Sequence, residues 1–203
     1  EKNPERNDAI PVVSKVRRHI VEAREEKLKA YSNVCPWNYE EMHDTKIGIV
    51  ASGAAYMYAK DVFGDKASYF KVGLSYPMPV EKIRAFREKV DELYVIEELD
   101  PYMEEILRTA GIDCHGKDVI PKIDELNPNI IAEAVLGTTR EFNDVPQDLL
   151  VPRPPTFCAG CPHRGFFYAL SKRKDTVMIG DIGCYALGGA DPLNAIDLAV
   201  CMG

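Results

Sequence analysis

Apolar and polar residues alternate with two different periods through the middle of the chain. Between Lys46 and Pro121, short β-branched runs are followed by segments whose apolar residues recur every three or four positions. The runs that predict strands are KIGIVASG, ASYFKVGLSYPMP, DELYVIEELDP and the short IDCHGKDVIP, and those that predict helices are AAYMYAKDVFG, VEKIRAFREKV and PYMEEILRTAG. Strands and helices that alternate at this interval favour right-handed crossovers. The pattern therefore predicts a Rossmann-like α/β domain with a largely parallel sheet covered on both faces.

A helix and a linker are predicted before this domain. In the region 9–30, valines and an isoleucine stand at helical spacing with charges between them, which indicates an amphipathic connecting helix. Residues 31–44 are rich in turn formers and hold the only tryptophan, so they predict a packed linker. We assign residues 1–45 to this connecting segment.

Two further boundaries follow the α/β domain. An Asn-Pro-Asn sequence at 127–129 opens a short helix that closes at Gly137, so we assign 46–137 to one domain. Prolines then break any regular element, which predicts a linker over 138–155. A second α/β domain is expected to begin at residue 156 and to be incomplete at residue 203.

Composition and charge exclude several classes of protein. A hydrophobic content of 46% is ordinary for a soluble fold, and no segment approaches the ~20 apolar residues of a membrane helix. The net charge of −7 is spread over mixed segments without a basic stripe, so nucleic acid is not expected as a partner. We expect a cytoplasmic protein that does not bind membranes. Because the sequence begins with Glu1 and ends in an apolar run, we also expect it to be cut at both ends.

Some polar residues of the first domain stand where open α/β sheets place functional groups. The Ser52-Gly53 turn could receive a phosphate at a helix N-terminus, but its sequence lacks G-x-G-x-x-G, and a tight turn without a ligand is favoured. The acids at the end of the third strand, Glu97, Glu98 and Asp100, are interpreted in preference as solvated surface. A single His115 beside a cysteine is too small a set for a metal site.

The strongest chemical signal is a pair of thiols. Cys158 and Cys161 are separated by Ala-Gly, and a turn at Gly160 can aim both sulfurs at one metal centre. A third thiol, Cys184, follows an apolar strand about two dozen residues later. The turn before a helix and the turn after the next strand meet at one edge of a sheet. The three cysteines are therefore predicted to converge.

Several kinds of cysteine site compete for this pattern. A zinc site would need a fourth ligand at short spacing, and His163 is poorly placed because it lies so near Cys161. A thioredoxin-like pair would follow a strand, but here prolines precede it. A disulfide is disfavoured in a cytosolic chain, and three unrelated buried thiols remain an alternative. Iron–sulfur ligation is favoured, with one ligand unaccounted for.

A glycine-containing turn, Gly180 to Tyr185, has a second chemical signature. Its glycines allow close approach of a ligand, and exposed backbone N–H groups there can bind an anion such as a diphosphate. Asp181 is a candidate Mg²⁺ ligand, but the role of a cap or turn former is favoured for it.

Long strings of this sequence resemble one enzyme family in the right order. The strings RPPTFCAGCPHRGFFYAL and GDIGCYALGGADPLNAIDLAVCMG resemble the start of the thiamine-diphosphate domain in the large subunit of indolepyruvate:ferredoxin oxidoreductases. The strings IGIVASGAAYMYAKDVFG, KVGLSYPMP, VIEELDPYMEE and GKDVIP resemble the preceding, transketolase C-terminal-like domain of that subunit. The resemblance covers nearly the whole chain from Lys46 onward.

This resemblance implies an activity, its cofactors and its partners. The family converts arylpyruvates and coenzyme A to aryl-acetyl-CoA, carbon dioxide and two electrons, which pass through [4Fe–4S] clusters to ferredoxin. It uses thiamine diphosphate with Mg²⁺, and its large subunit works with a small β subunit. By resemblance, Cys158, Cys161 and Cys184 are metal ligands, and Cys201 is a core residue. By the same resemblance, His163, Gly183, Cys184 and Tyr185 are expected to lie against the thiamine cofactor.

The sequence lacks parts of the family pattern. The main Mg²⁺–diphosphate motif and the ferredoxin-like cysteine runs would follow Gly203, and the activating glutamate would precede Glu1. The segment alone is therefore expected to be inactive. Another 2-oxoacid:ferredoxin oxidoreductase, acting on pyruvate or a branched-chain oxoacid, is an alternative, as is a non-catalytic α/β module with a structural metal.

Overall fold

Two compact units make up the chain in a computed structural model that describes residues 3, 8, 10–138 and 145–201. The first unit is Glu1–Phe142 and the second is Asn143–Gly203. Part of the linker expected over 138–155 therefore lies outside the described residues, and its described part, 145–155, contains only one short 3₁₀ helix, Gln147–Leu149.

A four-stranded, mostly parallel sheet forms the first unit. Its strands are Tyr39–Glu41 (β1), Ile47–Ser52 (β2), Ser68–Val72 (β3) and Glu92–Ile96 (β4), in the spatial order β1-β3-β2-β4. Strand β2 runs parallel to both β3 and β4, and only β1 is antiparallel to its neighbour. The central residues of β2 are fully buried, as is typical of a strand with both faces covered. The predicted α/β class with a largely parallel sheet is confirmed.

Helices cover both faces of this sheet. They are Pro11–Ser32 (α1), Gly53–Phe63 (α2), Val80–Arg87 (α3), Tyr102–Thr109 (α4) and Pro128–Ile131 (α5). One core contains Ile83 and Phe86 of α3 and Leu107 of α4, and the other contains Phe63 of α2 and Ile131 of α5. The 3.6-residue pattern predicts α2, α3 and α4, each of which buries one apolar stripe, whereas α1 buries only Ser32.

The predicted linker 31–44 contributes a strand to the sheet, which the sequence pattern did not predict. Strand β1 pairs with β3 through the register Tyr39↔Lys71 to Glu41↔Tyr69. Just before it, the side chain of Asn38 is fully buried. Its Oδ1 accepts hydrogen bonds from the backbone N–H groups of Gly73 at 2.9 Å and Leu74 at 2.8 Å, which fixes β1 against the end of β3.

The short strand expected in IDCHGKDVIP is reduced to one residue that pairs with β4. The structure has a single parallel bridge there, between Tyr94 and His115. The chain then turns away, because the carboxylate of Asp118 accepts hydrogen bonds from the backbone N–H of Gly116 and contacts His115 Nδ1 at 3.0 Å. These side-chain bonds compete with continued pairing to β4.

Both of the remaining predicted helices of this unit are present. Helix α1 corresponds to the predicted connecting helix, although Ser32 is its only buried residue. Helix α5 begins after Asn127, whose side chain accepts hydrogen bonds from the backbone N–H groups of Asn129 and Ile130. It continues as one π-helical turn, Ala132–Leu136, and ends at Gly137 with φ of 64°. A left-handed glycine is a common helix stop.

The second unit is smaller and is built around one helix. Its elements are Pro162–Ser171 (α6), Ile179–Asp181 (β5), the 3₁₀ helix Cys184–Gly189 and Leu198–Val200 (β6), and β5 pairs with β6 in parallel. Phe157, Phe167 and Ala195 form its buried core. The apolar residues Ile179, Leu198 and Val200 of the two strands are exposed by 42 to 67%. In the described part of the chain, no helix is long and apolar enough to cross a membrane.

Candidate functional site

The cysteine pair lies on a tight turn, as the spacing predicts. The backbone N–H of Cys161 donates to the carbonyl oxygen of Cys158 at 3.2 Å, and Gly160 has φ of 71°, where glycine is favoured. Pro162 then occupies the first position of α6, with Cys161 as the N-cap residue. The two thiols are thus carried by a short turn that leads directly into a helix.

An arginine that the sequence reasoning missed fastens this turn to the helix. Arg164 lies in the first turn of α6, and its Nε donates to the carbonyl oxygen of Cys158 at 3.0 Å. Its Nη2 donates to the carbonyl oxygen of Phe157. The signal in the sequence is the position of the arginine, three residues after the second cysteine, but spacing alone does not show where its long side chain turns.

Aromatic rings bring two of the predicted cofactor residues together. The rings of His163 and Tyr185 meet edge to face, with centroids 5.0 Å apart. The ring of Phe167, which is buried, packs against Tyr185 and Phe157, with centroid distances of 5.3 Å and 5.8 Å. Gly188 leaves room for this ring, because a Cβ there would lie 2.5 Å from Cδ1 of Phe167. The cluster joins α6 to the 3₁₀ helix that begins at Cys184.

The glycine turn after β5 has the backbone that its sequence indicates. Gly183 has φ of 114° and ψ of −150°, a conformation essentially restricted to glycine, and no atom would lie within 4 Å of an added Cβ. Gly180 differs, because a Cβ there would lie 2.8 Å from Cδ1 of Ile196, so it serves packing. Asp181 Oδ1 accepts a hydrogen bond from the N–H of Ile182 at 2.7 Å, in keeping with its favoured role as a turn former.

The three predicted metal ligands are free thiols that the structure does not gather into one site. Cys158 and Cys184 are exposed, and Cys161 is half-buried. Among the described residues, no three His, Cys, Asp or Glu side chains lie close enough to hold a metal ion. By donor chemistry the thiols fit an iron–sulfur cluster, whose usual ligands are cysteine thiolates. Their convergence stays a prediction.

The other three cysteines divide into two kinds. Cys35 and Cys114 are buried, and burial raises the pKa of the Cys114 thiol. A raised pKa keeps the Cys114 thiol protonated and unreactive. Cys35 is assigned a structural role because its side chain is fully buried. The expectation that Cys201 is a core residue is wrong here, because Cys201 is exposed after the end of β6.

A cavity of about 540 Å³ opens beside the cysteine turn. Its lining combines apolar and aromatic side chains, among them Phe157, Tyr168 and Leu187, with one cation, Arg164, and one carboxylate, Asp191. A cavity of this size and composition can hold a small organic group, because most ligand sites are apolar with few polar groups.

The acidic residues at the end of β4 in the first unit have structural roles. Glu97 is 7% exposed, and its carboxylate accepts hydrogen bonds from the N–H groups of Met103 at 2.8 Å and Glu104 at 3.0 Å. It therefore caps α4 instead of facing solvent, which corrects the favoured interpretation for this residue. Burial raises the pKa of Glu97, and the two backbone bonds oppose that rise. Glu98 accepts a hydrogen bond from the N–H of Leu126 at 2.8 Å.

The Ser52-Gly53 turn, the candidate phosphate site of this unit, also has a structural reason for its glycine. Gly53 begins α2 with φ of 53°, so the Ser52-Gly53 turn needs glycine for its backbone. The Ser52 side chain makes no capping hydrogen bond to α2.

Known proteins resemble the whole chain, although no protein-family model matches it. The chain is 32% identical to the indolepyruvate oxidoreductase subunit IorA of Pyrococcus abyssi and 34% identical to that of Methanothermobacter thermautotrophicus. Each match covers 100% of this chain but only 35% and 37% of the respective relative. The chain thus spans about a third of the length of these relatives.

A solved structure is also similar over part of the chain. It is a 2-oxoglutarate:ferredoxin oxidoreductase from Magnetococcus marinus, 17% identical, with a TM-score of 0.38 over 54% of this chain and 20% of that one. At this level of similarity, that structure says nothing about the cysteine and glycine turns of this chain.

Proposed function

Because the chain belongs to the family of IorA subunits of indolepyruvate oxidoreductases, we propose that it is part of a 2-oxoacid:ferredoxin oxidoreductase. The substrate we propose is an arylpyruvate such as indolepyruvate. The reaction is oxidative decarboxylation with coenzyme A to an aryl-acetyl-CoA and carbon dioxide, with two electrons passed to ferredoxin.

The observation that carries this proposal is collinear similarity to IorA subunits over the whole chain, including the regions that hold the cysteine and glycine turns. In this assignment the first unit is the transketolase C-terminal-like domain, and the second unit is the start of the thiamine-diphosphate domain. The mostly parallel sheet and the helix-flanked strands of the first unit agree with an α/β domain of that kind.

Thiamine diphosphate would supply the carbanion chemistry and a [4Fe–4S] cluster the path for single electrons. The residues of this chain would bind and orient these groups. Cys158, Cys161 and Cys184 would give three thiolate ligands, with the fourth from elsewhere in the subunit. His163, Gly183 and Tyr185 would border the thiamine, and the rings of His163 and Tyr185 pack edge to face.

The remaining functional assignments concern groups outside this chain. Mg²⁺ would hold the diphosphate of the cofactor, a small β subunit would complete the enzyme, and ferredoxin would accept the electrons. The proposed location is the cytoplasm, where ferredoxins and coenzyme A are available.

The test is an assay of the complete enzyme prepared without oxygen. The subunit that contains this chain is produced with its partner subunit, and reduction of ferredoxin or a viologen dye is followed with coenzyme A and each of several 2-oxoacids. We expect indolepyruvate or phenylpyruvate to give kcat/KM at least tenfold above that for pyruvate or a branched-chain oxoacid. A preference for pyruvate would move the enzyme to a sister family. Stoichiometric zinc without iron would instead support a structural-metal module.

A further inference from the structure

One guanidinium group holds two consecutive carbonyl groups at the start of the cysteine turn. Nε of Arg164 donates to the carbonyl oxygen of Cys158, and Nη2 donates to that of Phe157. Both hydrogen bonds reach back across the N-terminus of α6. A guanidinium can make two such bonds together because its planar donors are fixed in a fork. A lysine ammonium is a point donor on a flexible stem and cannot replace the fork.

The same carbonyl of Cys158 also closes the turn. It accepts the N–H of Cys161 at 3.2 Å, so Arg164 and the turn share one acceptor. At the other end, Cys161 is fixed as the N-cap of α6. Gly160 between them has wide conformational freedom. Both cysteines are therefore tied to the same helix, one by the backbone and one by the arginine side chain.

Among the described residues of the second unit, Arg164 makes no ion pair, although Asp191 lines the same cavity. The hydrogen bonds of Arg164 go to neutral carbonyl groups. The ion pair of this unit that lies nearest to Arg164 along the sequence joins Arg173 to Asp175. Thiols that bind metal do so as thiolates and bring negative charge next to this cation. A cation beside a cluster stabilises its reduced, more negative state.

We propose that Arg164 is the positioning residue of the metal-binding cysteine turn, holding Cys158 in register with Cys161 and placing a positive charge beside the cluster. This role rests on the proposed function, since it assumes that the turn binds a cluster. It is separate from that function in one respect, because the arginine should order the turn even without metal.

The test compares three variants of the complete enzyme, prepared anaerobically with its partner subunit. R164Q removes both the fork and the charge, R164K keeps the charge but removes the fork, and R173Q is the control on an exposed arginine of the same unit. Three quantities are measured: iron and sulfide per chain, the midpoint potential of the cluster by EPR-monitored titration, and hydrogen exchange of the peptide that contains residues 157–164.

We expect amide exchange in this peptide to rise about fivefold in R164Q and R164K, as loss of a net hydrogen bond implies, and to stay unchanged in R173Q. Iron loading should fall in both Arg164 variants. The midpoint potential should become more negative in R164Q and stay near the parent value in R164K. A merely structural role would not separate these two potentials.

Two results would overturn the proposal in different ways. If the parent enzyme holds a cluster, and R164Q retains full iron, unchanged exchange and unchanged potential, Arg164 does not position the turn. If the parent enzyme holds no iron, the proposed function fails, and hydrogen exchange alone then decides whether Arg164 orders the turn.

Discussion

Single buried polar side chains fix the connections that hydrophobic patterning leaves undetermined. Asn38 is fully buried and uses both ends of its amide, since Nδ2 donates to the carbonyl oxygen of Ser32 at 2.9 Å while Oδ1 accepts from Gly73 and Leu74. A buried amide with every bond made joins three segments that are distant in sequence.

We expect Asn38→Ala to destabilise the first unit by about 2 kcal/mol, because the part-buried N–H groups of Gly73 and Leu74 would lose the buried acceptor that they share. Urea unfolding followed by circular dichroism measures this change. Asn129→Ala is the control, since the side chain of Asn129 makes no hydrogen bond in the described residues. Equal effects of the two substitutions would contradict the assigned role of Asn38.

The raised pKa of Glu97 predicts a pH dependence of stability. Burial is the largest cause, so the folded state holds the proton above the ordinary carboxyl pKa of 4.5, where the unfolded state has released it. Stability should therefore fall as the pH rises from 4.5 through the folded pKa of this group. Glu97→Gln should flatten this part of the curve, as measured by urea midpoints between pH 4.5 and 7.5.

Another carboxyl group serves as a reference for this effect. The hydrogen bond from Lys60 holds the pKa of Glu41 below its usual range, so its contribution is lost only as the pH falls below about 4.5. Glu41→Gln should change the pH dependence of stability below about pH 4.5 and leave the dependence above that pH unaltered. If both variants changed the pH dependence of stability in the same way above and below pH 4.5, burial would not be the cause of the raised pKa of Glu97.

At the level of elements, the periodic pattern predicts what a local rule can determine. The helices α2, α3 and α4 and the strands β2, β3 and β4 follow from alternation of apolar positions. Strand β1 has no such pattern, because its pairing depends on the distant register with β3 and on Asn38. The strand expected near His115 is limited to one bridge for a similar reason, since the hydrogen bonds of Asp118 turn the chain away from β4.

Asn127 illustrates a local rule that is confirmed and can be measured. Its side chain caps two N–H groups at the start of α5. Asn127→Ala should cost about 1 kcal/mol in the free energy of unfolding, while Asn127→Asp should retain the cap. Thermal unfolding of the three proteins tests this expectation. An alanine variant as stable as the parent would show that the π-helical turn alone holds the segment.

At the scale of the whole molecule, the two units differ in how completely they are covered. The first unit buries both faces of its central strand, whereas the second leaves its two parallel strands exposed. Parallel sheets in proteins are buried on both faces. The candidate site belongs to the second unit, and the sequence predicts that candidate ligands lie together only where a turn brings neighbours together. Cys158 and Cys161 meet that condition, but the approach of Cys184 depends on packing.

Because the chain spans about a third of the length of the IorA subunits that it matches, we expect the 203 residues alone to bind the proposed cofactor poorly. The turn at Gly183 offers backbone groups, yet the pyrimidine side and the main Mg²⁺–diphosphate motif are expected elsewhere in the subunit. Calorimetric titration of the chain with thiamine diphosphate and Mg²⁺ should show no binding in the micromolar range. Micromolar affinity would contradict the division of the site between this chain and other parts of the enzyme.

The central claim is that three thiols from two separate turns bind one cluster, and low-temperature EPR of the reduced, complete enzyme tests it most directly. Variants Cys158→Ser, Cys161→Ser and Cys184→Ser are compared with Cys201→Ser, whose thiol is exposed after β6. The account predicts that the first three lose or alter one and the same [4Fe–4S] signal, and that Cys201→Ser retains it. An unchanged signal in Cys184→Ser would contradict the account.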